Sequence, residues 1–140
     1  MLIKFILYGF LGLLIEIFFT GINSFLNGDF TLSSHTYIWM FFIYGLAVFL
    51  EYIHNFIRDK NILIRGGIWA VLIFSIEFFT GFLLKLIIGK CPWDYTDNSN
   101  FTLYGYIRFD YFPFWFLLGL IFEKIHDFID KEIYINKRTL

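Results

Sequence analysis

The chain has 140 residues, of which 59% are hydrophobic, 24% aromatic and only 16% charged, with a mean hydropathy of +0.68; a soluble domain carries about a quarter charged residues. This is the composition of a membrane protein. A formal net charge of -1 and the lack of a basic stripe interleaved with aromatics exclude a nucleic-acid binder. The lone Cys91 excludes an internal disulfide framework, and without a second cysteine reads as an inert thiol.

Crossing the bilayer takes about 20 mostly apolar residues. The first such run, near Leu2 to Leu26, has no small-residue cleavage signal and is read as a retained helix. A second runs from Tyr37 to Ile57, a third from Ile62 to Ile88 and a fourth from Tyr111 to Ile129. Helices are expected throughout, because an open sheet edge has no hydrogen-bond partners in lipid and no run alternates as a barrel strand does. Between the last two runs lies the longest connection, Gly89 to Asp110, with Cys91-Pro92-Trp93-Asp94-Tyr95 near its start. A loop of that length is expected to pack as a cap or re-entrant turn.

Lys4, Arg58, Lys60, Arg65, Lys124, Lys131, Lys137 and Arg138 fall on the side that holds both termini, against Lys85, Lys90 and Arg108 on the other. The positive-inside rule then makes both termini cytoplasmic in a multi-pass protein of the cell membrane. Trp39, Trp93 and Trp115 are expected in the outer aromatic belt and Trp69 in the inner one.

Two halves of the chain resemble each other. Glu51-Tyr-Ile-His54-Asn-Phe-Ile57 recurs as Glu123-Lys-Ile-His126-Asp-Phe-Ile129, and Glu16-Ile-Phe-Phe-Thr-Gly21 as Glu77-Phe-Phe-Thr-Gly81. The fold class expected is all-α: one transmembrane domain over 1–140, a polytopic four-helix bundle of two parallel two-helix repeats with halves near 1–60 and 61–140.

Carboxylates in hydrocarbon are costly and mark candidate sites. At about 1.5 Å per residue, Glu16 and Glu77 lie about 18 Å from the inner markers Lys4 and Arg65, close to mid-membrane, whereas Glu51 is about 10 Å from Arg58. Glu16, Glu77, Thr80, Glu51 and Glu123 are the candidates for binding a cation, proton or small polar ligand. Carboxylate di-metal bundles take Glu from two helices and Glu-x-x-His from two others. Glu16, Glu51, His54, Glu77, Glu123 and His126 supply those types in that order, making a divalent metal the candidate cofactor. Against a single site stands the depth difference of roughly 7 to 8 Å between mid-membrane and rim acids. Asp94, Arg108 and Asp110 form a candidate outer charge cluster. No glycine-rich phosphate loop occurs, so the chain itself is not expected to bind ATP.

The combination Glu77-Phe-Phe-Thr-Gly81, Cys91-Pro92-Trp93-Asp94-Tyr95 and Gly105 resembles the CmpB-like small membrane protein family, described as putative ABC-transporter type IV. The resemblance extends from about Leu11 to Asp130 and singles out Glu16, Glu77, Thr80, Gly81, Trp93, Asp94, Tyr95 and Gly105, with Arg108 in the same outer loop; His54 and His126 fall outside the pattern. It implies a permease-like or transport-associated component, with a separate ATP-binding subunit as partner. Two alternatives remain: a membrane-embedded Glu/His metalloenzyme acting on a lipid or quinone, and a structural or assembly subunit. Besides the lipid bilayer, a homodimer is a candidate assembly for so small a bundle.

Overall fold

Local stop and start signals set the helix limits in the computed structural model, which describes residues 1–97 and 99–138, with side chains through Glu132. The basic side chains Lys137 and Arg138, used for orientation, lie outside the described side chains. Helix α1 (Leu2–Leu26) fills the first apolar run and ends at Asn27, before Gly28 with φ +89°. Helix α4 (Ile62–Ile88) opens where the Asn61 side chain accepts from Leu63 N at 2.9 Å and closes at Gly89, whose φ of +81° is the left-handed conformation that ends many helices. The second run is helical over Ile38–Ile57 but not uniform: α2 (Ile38–Gly45) gives way to a tighter 3-10 stretch, Leu46–Leu50, before α3 (Glu51–Ile57).

After α4 the chain forms a two-stranded hairpin not foreseen from the sequence, β1 (Thr102–Leu103) antiparallel to β2 (Ile107–Arg108), with Thr102 opposite Arg108 and Leu103 opposite Ile107. Helix α5 (Phe112–Arg138) follows. It continues beyond Ile129, where the fourth run was expected to end, because the polar residues that follow are compatible with helix and contain neither Gly nor Pro.

The chain divides into two compact units, Met1–Ile53 and His54–Leu140. In the first, α1 packs on α2 at glycine distances: a Cβ on Gly12 would stand 2.1 Å from Tyr44 Cγ. In the second, α4 packs on α5, and a Cβ on Gly119 would stand 2.1 Å from the Trp69 Cβ. Missing side chains thus admit large rings, a common device where helices approach in lipid. The core of this second unit gathers Ala70, Phe74, Ile107 and Trp115.

Among the described residues, three helices are long and apolar enough to cross a membrane: Leu2–Leu26, Ile38–Ile57 and Ile62–Ile88. Only 17% of the most apolar window of α1 and of α4 is buried, so their apolar surface is turned outward, as lipid accepts and water does not. The fourth expected span is also a helix, but its second half carries Glu123, Lys124, Asp127, Asp130 and Lys131. The protein is a multi-pass, predominantly helical membrane protein.

Candidate functional site

Each of the four candidate glutamates, Glu16, Glu51, Glu77 and Glu123, holds an aromatic hydrogen-bond donor from its own unit. In the first unit, Tyr44 Oη donates to Glu16 Oε1 at 2.8 Å, while Glu51 accepts from Lys4 Nζ at 2.9 Å and Tyr8 Oη at 3.1 Å. In the second unit, Trp115 Nε1 donates to Glu77 Oε2 at 3.1 Å, with Tyr95 Oη at 3.5 Å from its Oε1. Glu123, buried at 2% exposure, accepts from Trp69 Nε1 at 2.8 Å and from Arg65 Nε at 3.2 Å.

The tryptophans therefore differ from the expected interfacial belt. Trp69, Trp93 and Trp115 are buried, and each has an internal acceptor for its N–H: Glu123, the Tyr106 carbonyl and Glu77. Only Trp39 is exposed as a belt residue would be. An indole can be buried at low cost once its single donor is satisfied.

Thr80 and Thr20 are turned toward backbone. Thr80 Oγ1 donates to Ile76 O at 2.6 Å, and Thr20 Oγ1 to Glu16 O and His35 O, both at 2.9 Å. Such bonds satisfy a hydroxyl within an apolar helix.

The Gly89–Asp110 loop builds a cap on α4. Cys91 Sγ, Tyr106 Cβ and the Trp93 ring lie against Gly81, the closest of them 3.2 Å from where a Cβ would stand. Burial pushes the Cys91 thiol up in pKa. Asp94 Oδ1 accepts from Thr96 N at 3.0 Å and from its hydroxyl, and these bonds hold the carboxyl below its ordinary range. Gly105 has φ +73°, and a Cβ there would stand 2.2 Å from Asp94 Oδ1, so the turn requires glycine. Tyr95 N bonds to Gly105 O at 2.9 Å while the Tyr95 phenol reaches Glu77. Arg108 donates to both oxygens of Asp110 and lies over the Tyr111 ring at 4.2 Å; this pairing lowers the Asp110 pKa and raises that of Arg108. Of the expected charge cluster, Arg108 and Asp110 form the pair, and Asp94 closes its own turn.

A second concentration of polar groups lies in the second unit, between the chain around His54 and the middle of α5. His54 and His126 meet edge to face with ring centroids 5.1 Å apart. His54 Nε2 is 3.1 Å from Asp127 Oδ1, and its Nδ1 is 3.8 Å from Glu123 Oε1. His126 Nε2 is 3.5 Å from Asp130 Oδ2. Of the six side chains in the expected metal set, these two histidines and Glu123 are brought together in this unit, and Asp127 joins them.

No solved structure matches the chain. The pattern residues Gly81, Trp93, Asp94, Tyr95 and Gly105 nevertheless have a common structural meaning, as parts of the cap over α4, and a family model spans nearly every residue. With that model, described as "Putative ABC-transporter type IV", matching residues 3–140, the chain belongs to this family of ABC-transporter-associated membrane proteins.

Proposed function

We propose that the chain is the permease-like component of a transport system, with Glu16 and Glu77 binding a cation, proton or small polar ligand inside the bilayer. The observation that carries this reading is that Glu16 and Glu77, on the two most apolar of the three membrane-competent helices, are each oriented by aromatic donors. Lys4 and Arg65 bond Glu51 and Glu123, which supports a structural role for those two. The bonds from Tyr44 to Glu16, and from Trp115 and Tyr95 to Glu77, come from phenol and indole groups. Such donors orient a carboxylate without adding charge. An ionisable group near mid-membrane is by default a functional candidate. Tyr95 ties the outer cap to Glu77, so a ligand on Glu77 would be sensed by the cap.

The duplicated architecture gains support from spacing. A base, a ring four residues on and an acid eight further occur as Lys4, Tyr8, Glu16 and as Arg65, Trp69, Glu77. Within its own unit, each base and ring bond the Glu of the next helix, Glu51 or Glu123. On this reading 1–140 is one four-helix transmembrane domain with parallel halves near 1–60 and 61–140, and α5 is its fourth span. Both termini face the cytoplasm of the cell, on the side of Lys4, Arg58, Lys60 and Arg65. A separate ATP-binding subunit supplies hydrolysis, and a homodimer enlarges the small bundle.

The test is ion flux into vesicles containing the purified chain and internal dyes for protons, sodium or potassium. Flux in the wild type that falls in Glu16→Gln and Glu77→Gln supports the reading. Equal flux in all three proteins overturns it.

A further inference from the structure

The geometry points to a transition-metal site in the second unit, with His54, His126 and Asp127 as its protein ligands. One ligand atom from each of the three lies within 4.8 Å of the other two. Both histidines are 3% exposed and meet edge to face, so two imidazoles are buried against each other. His54 lies midway along α3 and His126 and Asp127 lie midway along α5, so an ion here would clip the chain around His54 to α5.

The groups behind the ligands fit a metal better than they fit packing alone. His54 Nδ1 is buried and has no hydrogen-bond partner among the described residues, yet Glu123 Oε1 lies 3.8 Å away. Glu123 is itself fixed by Arg65 and Trp69. With His54 Nε2, now 3.1 Å from Asp127, turned to the ion, its Nδ1–H faces an anchored carboxylate. His126 Nε2 is likewise 3.5 Å from Asp130 Oδ2. A carboxylate behind each imidazole fixes the tautomer and raises ligand basicity.

Two imidazoles and one carboxylate suit zinc and the neighbouring first-row divalent ions, and three protein ligands leave a position open. The Asp127 side chain is 48% exposed, which gives an ion a path from water. Arg58 Nη2 stands 3.6 Å from the same Asp127 oxygen, and a carboxylate has lone pairs for both cations. This site is independent of the Glu16 and Glu77 reading.

Cobalt(II) titration of the chelator-stripped full chain in detergent tests it, followed by visible absorption and equilibrium dialysis. One saturable cobalt per chain with a new visible band is expected. Asp127→Asn, at a half-exposed position that tolerates the change, should weaken binding about 10-fold or more, as should His126→Gln, whereas the exposed Asp59→Asn should not. Absence of saturable binding in the wild type, wild-type affinity in Asp127→Asn, or an equal loss in Asp59→Asn overturns the site.

Discussion

Trp69 Nε1 donates to Glu123 Oε1 at 2.8 Å, and the Trp69 ring that makes this bond rests on Gly119, one helical turn before Glu123. Tyr44 has the same relation to Gly12 and Glu16 in the first unit. In each case a glycine seats the ring, and the acid four residues later receives its proton donor.

Gly119→Ala should therefore act partly through Glu123. Overpacking of this kind costs about 1–3 kcal/mol, and Trp69→Phe, which deletes the donor to a charged group, about 1.5–3 kcal/mol. Because both changes disturb one bond, the double variant should lose less than the sum. Unfolding measured in detergent provides the check, and additive losses would separate packing from the hydrogen bond.

Glu123→Ala should destabilise more than Glu51→Ala. Glu123 is nearly fully buried although Arg65 is 22% exposed, and removing one member of a fully buried pair costs about 3–5 kcal/mol, an upper bound here. Glu51 and Lys4 are each 17–18% exposed, so water compensates part of the loss. The ordering of the two unfolding midpoints decides this.

Tyr44→Phe and Tyr95→Phe remove only an oxygen next to Glu16 and Glu77. Each should cost about 1 kcal/mol or less in stability. If the carboxylates carry the ligand, ion flux should change by a larger factor than folding does. Flux that simply tracks the amount of folded protein would count against the proposed role.

The cap should loosen in acid. Thr96 holds Asp94 and Arg108 holds Asp110 below their ordinary carboxyl range. A depressed carboxyl contributes stability above its unfolded value, about 3.9, and loses it as the pH falls through the lower folded value. Proteolysis of the Gly89–Asp110 loop should stay slow from neutral pH to about 4 and speed up below that. Asp94→Ala should be cleaved faster already at neutral pH and show a smaller acid response.

The limits of α1 and α4 were legible because they depend on local information: an apolar run, then Asn27–Gly28 or Gly89. The hairpin was not, since strands of two residues exist only through distant bonds such as Trp93 Nε1 to Tyr106 O and Phe109 N to Phe101 O. For the candidate site, the position of each Glu was visible from its cost in hydrocarbon. Its partners were hidden, because Tyr8, Tyr44, Trp69 and Trp115 look like any other aromatic residue in a chain so rich in them. Asp127 was hidden for a different reason: the charges around it, Lys124, Asp130 and Lys131, have the pattern of a solvated helix end, and only the fold sets His54 beside it.

The overwound stretch Leu46–Leu50 determines which way Glu51 points. In an α-helix each residue turns about 100°, so Glu51, six positions after Gly45, would be about 120° away from the face on which Gly45 meets Phe5 of α1. A 3-10 residue turns about 120°, and five of them bring Glu51 back to within about 20° of that face. The ion pair with Lys4 and the bond from Tyr8, both on α1, follow from this change of phase. Gly119 and Glu123 are only four positions apart and stay in phase without it, so the two extra residues of the first unit are absorbed as twist, and the carboxylate keeps its bearing.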